Sequence, residues 1–127
     1  MNDCIIGIGS NIEAEKNITE MLRLLSADVE VIKVSKLMQT KPIGITDQAD
    51  FTNGAVHIRT IMNLKSLSLY LKNLEDQLGR DRTQPKFGPR NIDLDILIWN
   101  NKIVDQDYYT RDFLRISAAE LGFEINQ

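Results

Sequence analysis

Apolar residues recur along this chain with two periods, one for strands and one for helices. Cys4-Ile5-Ile6-Gly7-Ile8 is a short apolar run and reads as a buried strand. Gly9-Ser10-Asn11 then offers turn and cap chemistry that introduces a helix, with Ile18, Met21, Leu22 and Leu25 at helical spacing. Val29 to Met38 supplies β-branched and apolar bulk for a second strand, and Gln39 to Asp50 reads as a long loop from its proline, glycine and polar residues. Phe51 to Ile58 returns as a strand. Asn63 is placed to cap a second helix whose stripe is Leu64, Leu67, Leu71, Leu74 and Leu78, with Gly79 as its stop. Arg80 to Lys86 has no apolar pattern and reads as a loop ordered by ligand. From Ile92 onward Ile92, Leu94, Ile96 and Ile98 alternate with Asp93, Asp95, Leu97 and Trp99, the period of a strand. Asn100-Asn101 predicts a tight turn into Lys102-Ile103-Val104, and Thr110 a cap for a last helix that runs past Leu114, Ala118 and Leu121 to Gly122.

The order β-α-β-β-α-β predicts an α+β sandwich close to the ferredoxin-like arrangement. Its sheet is mostly antiparallel, with both main helices on one face, the other face open to ligands, and a C-terminal helix added. A chain of 127 residues fits one domain, residues 1–127. Its 43% hydrophobic and 26% charged residues are ordinary for a soluble protein. A net charge of -3 argues against a general nucleic-acid binder, so the arginines are a local concentration suited to a small anion. Cys4 has no second cysteine to pair with and reads as buried, and His57, the lone histidine, reads as structural. No apolar run reaches membrane-spanning length and no leader pattern precedes the first strand, so the cytoplasm is the expected location.

The chemistry concentrates between Gly79 and Trp99, where Arg80, Arg82 and Arg90 precede Asp93 and Asp95. Two residues apart on a strand, the carboxylates project side by side and repel unless a cation relieves them. Oxygen-only ligation of that kind suits magnesium, which takes one or two carboxylates together with phosphates and water. Arginine forks hold phosphate oxygens at any working pH. The set suggests a magnesium–polyphosphate site; a solvated Arg/Asp ion-pair patch is the alternative. The Gly9-Ser10 turn reads as structural more than phosphate-binding. Asn53 offers one acceptor and two donors to a planar ligand edge, but from the residues alone a turn or edge amide bonded to backbone is the preferred reading. No nucleophile–base arrangement is evident.

Gly79-Arg80-x-Arg82 followed by Phe87-Gly88-Pro89-Arg90-x-x-Asp93-Leu94-Asp95-Ile96-Leu97 resembles the signature of the 6-hydroxymethyl-7,8-dihydropterin pyrophosphokinase family of folate biosynthesis. The strand closed by Gly-Ser-Asn, Thr40-x-Pro42-x-Gly44 and Phe51-x-Asn53 extend the likeness, which is close from residue 4 to about 104. The resemblance implies diphosphoryl transfer from ATP to the hydroxymethyl oxygen of the dihydropterin, releasing AMP. It implies two Mg2+ ions on Asp93 and Asp95, with Arg80 and Arg82 joining them in catalysis. Glu75, Arg80, Arg82, Arg90, Ile96 and Arg111 fall at ATP positions, although Glu75 also reads as an exposed salt-bridge residue. Thr40, Pro42, Phe51, Asn53 and Phe113 fall at pterin positions, the two phenylalanines sandwiching the ring; Phe87 covers the nucleotide or anchors its loop. The chain departs from the family where Asp105-Gln106-Asp107-Tyr108-Tyr109 replaces a proline-histidine segment, and its tail is shorter, although Arg111-x-Phe113 is kept. The expected partners are ATP and a dihydropterin, with no nucleic acid, no membrane and a monomeric state. The alternatives are a shortened relative that binds a pterin or nucleotide without turnover, one acting on a different pterin, or a structural role.

Overall fold

A computed structural model describes residues 1–124. Its elements are β1 (Asn2–Ser10), α1 (Ala14–Asp28), β2 (Glu30–Val34), β3 (Met38–Thr40), β4 (Phe51–Thr60), α2 (Leu64–Gln77), β5 (Asp93–Trp99), β6 (Lys102–Ile103), α3 (Asp107–Thr110) and α4 (Asp112–Glu120). The strands form one sheet in the order β2-β4-β1-β5-β6, with β3 also paired to β4 and every pairing antiparallel. Taken as one interrupted strand, β2 and β3 leave the α+β, ferredoxin-like arrangement that the order of elements predicts.

Strand alternation decides what each face carries. On β1, Cys4, Ile6 and Ile8 point to α1 and α2, where they pack with Ile18, Met21 and Leu25 of α1, Leu67, Leu71 and Leu74 of α2, and Leu94 of β5. The Asn63 side chain accepts the Ser66 N–H at 2.8 Å and caps α2, and Gly79 stands at φ 86 just beyond it, a conformation glycine adopts without strain. On the opposite face Ile5, Ala55, Leu97 and Ile98 meet Leu114 and Ala118 of α4, together with Tyr108 and Phe123. Leu97 and Ile98 share that face because a register shift between Ile5 and Ile6 inserts one extra residue into β5. The second face is therefore open only at one end; α4 covers the other.

Several local expectations are corrected. β1 runs on through Gly9 and Ser10, so these residues do not form a turn, and α1 starts after Glu13 with no side-chain cap. Val29 to Met38 is not one strand. The Ser35 hydroxyl, in place of a backbone carbonyl, accepts the Ala55 N–H at 2.8 Å, and Leu37 crowds Gly54, which breaks the ladder between β2 and β3. β3 takes Gln39 and Thr40 out of the expected loop, leaving 41–50. Thr110 ends α3 and does not cap α4, which has Arg111 at its N-cap position. Asn100 and Asn101 do turn as expected, with φ 46 and 69. Cys4 is buried, and His57 sits in a surface pairing with Asp3 (2.9 Å), which Arg59 joins at 3.0 Å.

Candidate active site

The open end of the second face is built on a gap in β1. Gly9 lies between Asn53 of β4 and Asp93 of β5, and Gly7 lies between Ala55 and Asp95. Absence of side chains on the middle strand leaves a trough with an amide on one bank and two carboxylates on the other. The fit is close: a Cβ on Gly9 would lie 3.1 Å from the Asn53 Oδ1. Asn53 is 7% exposed and donates through Nδ2 to the Thr40 hydroxyl, which fixes its orientation. The backbone-bonded reading of Asn53 is thereby replaced by a side-chain partner at the cavity wall.

Over this trough lies a cavity of about 270 Å3, lined among others by Gly9, Thr40, Phe51, Asn53, Arg111 and Phe113. Its walls also include Lys41 and Ile43 from the loop after β3, Lys86, Phe87, Gly88 and Arg90 from the loop before β5, and Asp107 from the start of α3. A second cavity, about 230 Å3, opens at the free edge of β5, which β6 pairs only at Ile98 and Trp99. Glu75, Arg82 and Ile96 line it, with Ser68, Leu71 and Lys72 of α2. Arg80, Asp93 and Asp95 line both cavities.

A buried carboxylate organises this shared wall. Glu75 is 4% exposed, so it is no surface salt-bridge residue; its Oε2 accepts the Leu94 N–H at 2.8 Å and the Arg80 Nη1 at 2.8 Å, and its Oε1 accepts from Arg82 at 3.3 Å. Arg80 reaches on to Asp93 at 3.0 Å, and its buried Nε has no acceptor among the described residues. Arg82 is also held by Asp76 at 2.9 Å. Burial pushes the Glu75 carboxyl above its ordinary range, against the pull of Leu94 and Arg80.

Asp95 is pushed up to about 7, first by loss of hydration at the floor of the trough and then by repulsion from Asp93, Asp105 and Glu75. Much of the residue is still reached by solvent from above, so an ion can approach it. A carboxyl that keeps its proton toward neutrality beside a second carboxylate is a fit for a hard divalent cation, which would displace that proton and relieve the repulsion. Among the described residues no group of three or more metal-ligating side chains converges, so the remaining ligands of such an ion are phosphate oxygens and water.

Nearly all the sequence-predicted site residues thus meet around the two cavities. Pro42 is the exception and lines neither. The Arg90 guanidinium faces the first cavity while donating to the carbonyls of Pro85, Lys86, Gly88 and Pro89, so it ties its own loop together. Arg111 pairs with Asp107 at 3.7 Å. Sequence reading passed over Gly7 and Gly9 as trough-makers and over Lys41, Lys86, Asp105 and Asp107. Glycines two apart, facing an alternating Asp pair, were the available signal. A roomier hollow of about 440 Å3 lies at the far end of β1, around Cys4, Ile5, Ile98 and Phe123, and contains none of the predicted residues.

The fold and the site together define an α+β protein with two cavities that share a wall, one carrying both aromatic rings and arginines, the other arginines without aromatic rings. Comparison with known proteins narrows this class. A family model described as 7,8-dihydro-6-hydroxymethylpterin-pyrophosphokinase (HPPK) matches residues 5–122, and the chain belongs to this family. It is 39% identical to the 2-amino-4-hydroxy-6-hydroxymethyldihydropteridine pyrophosphokinase of Bacillus subtilis (strain 168), covering 99% of this chain and 81% of that protein. The enzyme of the same description from Campylobacter jejuni is 35% identical over 78% of this chain and 64% of its own length. An Arabidopsis thaliana folate synthesis bifunctional protein is 34% identical over 83% of this chain, but the match spans 22% of that longer protein.

Proposed function

We propose that this chain transfers diphosphate from ATP to the hydroxymethyl group of 6-hydroxymethyl-7,8-dihydropterin, giving AMP and the pterin diphosphate. The observation that carries the reading is the wall of Arg80, Asp93 and Asp95 shared by the two cavities. A transfer between two bound molecules needs their reacting ends aligned and the moving charge offset, and a shared wall supplies both at one point. The pterin occupies the cavity of Phe51, Asn53 and Phe113, with its ring between the phenylalanines and its polar edge on the Asn53 amide that Thr40 orients. ATP occupies the edge of β5, its base side near Ile96 and its phosphates near Arg82 and Arg80.

Magnesium, two ions in this reading, would supply charge neutralisation for the phosphates as the hydroxyl attacks. Asp93 and Asp95, at the boundary between the cavities, would hold the ions, with Asp95 in its ionised form. Arg80 and Arg82 hold phosphate oxygens while Glu75 keeps both guanidiniums facing β5. Arg90 and Arg111 complete the positive side of the pterin cavity. Residues 1–127 act as one pyrophosphokinase-like domain, a monomer supplied with Mg-ATP in the cytoplasm; among the described residues no helix is long and apolar enough to cross a membrane.

One observation favours a second reading. Asp107 enters the pterin cavity from the segment that departs from the family pattern, which suits a pterin with altered substituents. Incubation with Mg-ATP and 6-hydroxymethyl-7,8-dihydropterin, followed by mass analysis, decides between them. AMP and pterin diphosphate are the expected products. Tight calorimetric binding of both substrates without AMP would leave a binding protein.

A further inference from the structure

The pterin cavity is walled by two loops from distant parts of the chain, 41–50 and 80–92, and a small polar junction joins them. Loop 41–50 is exposed except at Pro42 and Gln48, which are half-buried. The Gln48 amide is fully used. Its Nε2 donates to the Ile45 carbonyl at 2.8 Å and, across the gap, to the Phe87 carbonyl at 2.6 Å. Its Oε1 accepts the Asn11 Nδ2 at 2.9 Å. Asn11 in turn donates to the Ala49 carbonyl at 3.0 Å and accepts the Arg90 N–H at 2.8 Å, while its own N–H donates to the Arg90 carbonyl at 3.1 Å. Two amide side chains thus fasten the β1–α1 connection and both loops to one another.

An apolar contact reinforces the junction. Gly44 stands at φ 84, and a Cβ there would fall 2.8 Å from the Phe87 ring, so the ring lies directly against the glycine backbone. Arg90 gathers the carbonyls from Pro85 to Pro89, so what holds Phe87 also holds Lys86 and Gly88. A glutamine that only stabilised its own loop would need only the Ile45 bond. Its other two bonds leave the loop, toward residues that place Phe87 and Arg90 at the cavity.

Resting on the pyrophosphokinase reading, we infer that Gln48 is a positioning residue for the pterin. Through Asn11 and the Phe87 carbonyl it sets the separation of the two loops, and hence the width of the cavity between Ile43 and Phe87. It touches neither substrate. Its loss widens the cavity mouth without altering the Arg80–Asp93–Asp95 wall.

The test compares wild type, Gln48→Met, Gly44→Ala and the double variant. Met keeps the length of glutamine without its amide, and Ala at position 44 displaces the Phe87 ring. Calorimetry with 6-hydroxymethyl-7,8-dihydropterin, in the presence of magnesium and a non-hydrolysable ATP analogue, is expected to give about tenfold weaker pterin binding in each single variant. The double variant is expected to lose less than the product of the two, because both changes break one junction. In steady-state assays KM for the pterin rises by more than kcat falls, a split that general loss of folding would not produce. Pterin affinity equal to wild type in Gln48→Met overturns the inference whatever Gly44→Ala does, as does wild type that fails to bind the pterin at all. Wild type that binds the pterin but releases no AMP defeats the transfer reading alone, and the affinities of the variants still decide the role of Gln48.

Discussion

At the same end of the sheet, β1 and β5 show α1 and α2 one set of residues and the opposite side another. Facing the helices are Ile6, Ile8, Leu94 and Ile96; facing away are Gly7, Gly9, Asp93 and Asp95. The first set packs into a core, and the second forms a bare trough with like charges along one bank. Glycine in a strand and carboxylates at close quarters both weaken a fold, and the helix-facing residues offset that cost from the other side of the same strands. Stability and chemistry are thereby assigned to alternate positions. Glu75 is the link between them, a helix residue whose carboxylate reaches the edge of β5 and holds the arginines there.

The sharpest way to break this division is to remove a trough carboxylate. Asp95→Ala is expected to cut AMP release by roughly 1,000-fold or more, because the proposed cation site would lose one of its two carboxylates. The far-UV circular dichroism of the variant should match wild type. Unchanged turnover would remove Asp95 from the metal site. The converse change lies one face away. Ile6 is fully buried against the helices, and Ile6→Ala is expected to cost about 2–5 kcal/mol in denaturant melts while the folded fraction keeps its turnover. A variant that stays stable but turns over slowly would show that the two faces are not separable. Gly9→Ala should act more mildly on the trough itself. Its methyl would meet Asn53 at 3.1 Å, with an expected rise in pterin KM of about tenfold and little change in melting temperature. An unaltered KM would mean that the pterin does not lie over Gly9.

How far these features were legible in the sequence follows from the same division. The Asn63 cap, the Asn100-Asn101 turn and the Asp93/Asp95 alternation are local patterns and each is present as read, while the α2 stripe holds at Leu67, Leu71 and Leu74 but not at Leu64, which is exposed. Gly9-Ser10 misled because the sequence offers the same residues for a turn as for a strand whose side chains must be small. Only the pairing with Asn53 and Asp93 decides between them. The break after Val34 was hidden for a related reason: Ser35 substitutes its hydroxyl for a ladder carbonyl, which apolar periodicity does not register. Glu75 was legible as an acid on the last turns of α2, but its burial depends on Leu94, Arg80 and Arg82 arriving from elsewhere. Asp105 and Asp107 reach the trough only because the β5–β6 hairpin turns the chain back, so no spacing rule pointed to them.

The smallest expected effect tests the electrostatic side of the comparison. An ordinary aspartate titrates near 4, whereas Asp95 is pushed up to about 7 by burial and by its acidic neighbours. The folded protein therefore holds this proton more tightly than the unfolded chain. Its contribution to stability is fully present below about pH 4 and is lost as pH rises through about 7. In EDTA the melting temperature of wild type should fall between pH 5 and pH 8 relative to Asp95→Asn, which has no proton to lose there. Magnesium should reverse the sign of the trend. It binds the ionised pair, so the apparent affinity for Mg2+ is expected to weaken by about tenfold from pH 8 to pH 6, with proton uptake by the protein when the ion leaves. Parallel melting curves for wild type and Asp95→Asn across that range would show that the trough carboxylates do not repel one another, and the case for a cation between the two cavities would lose its physical basis.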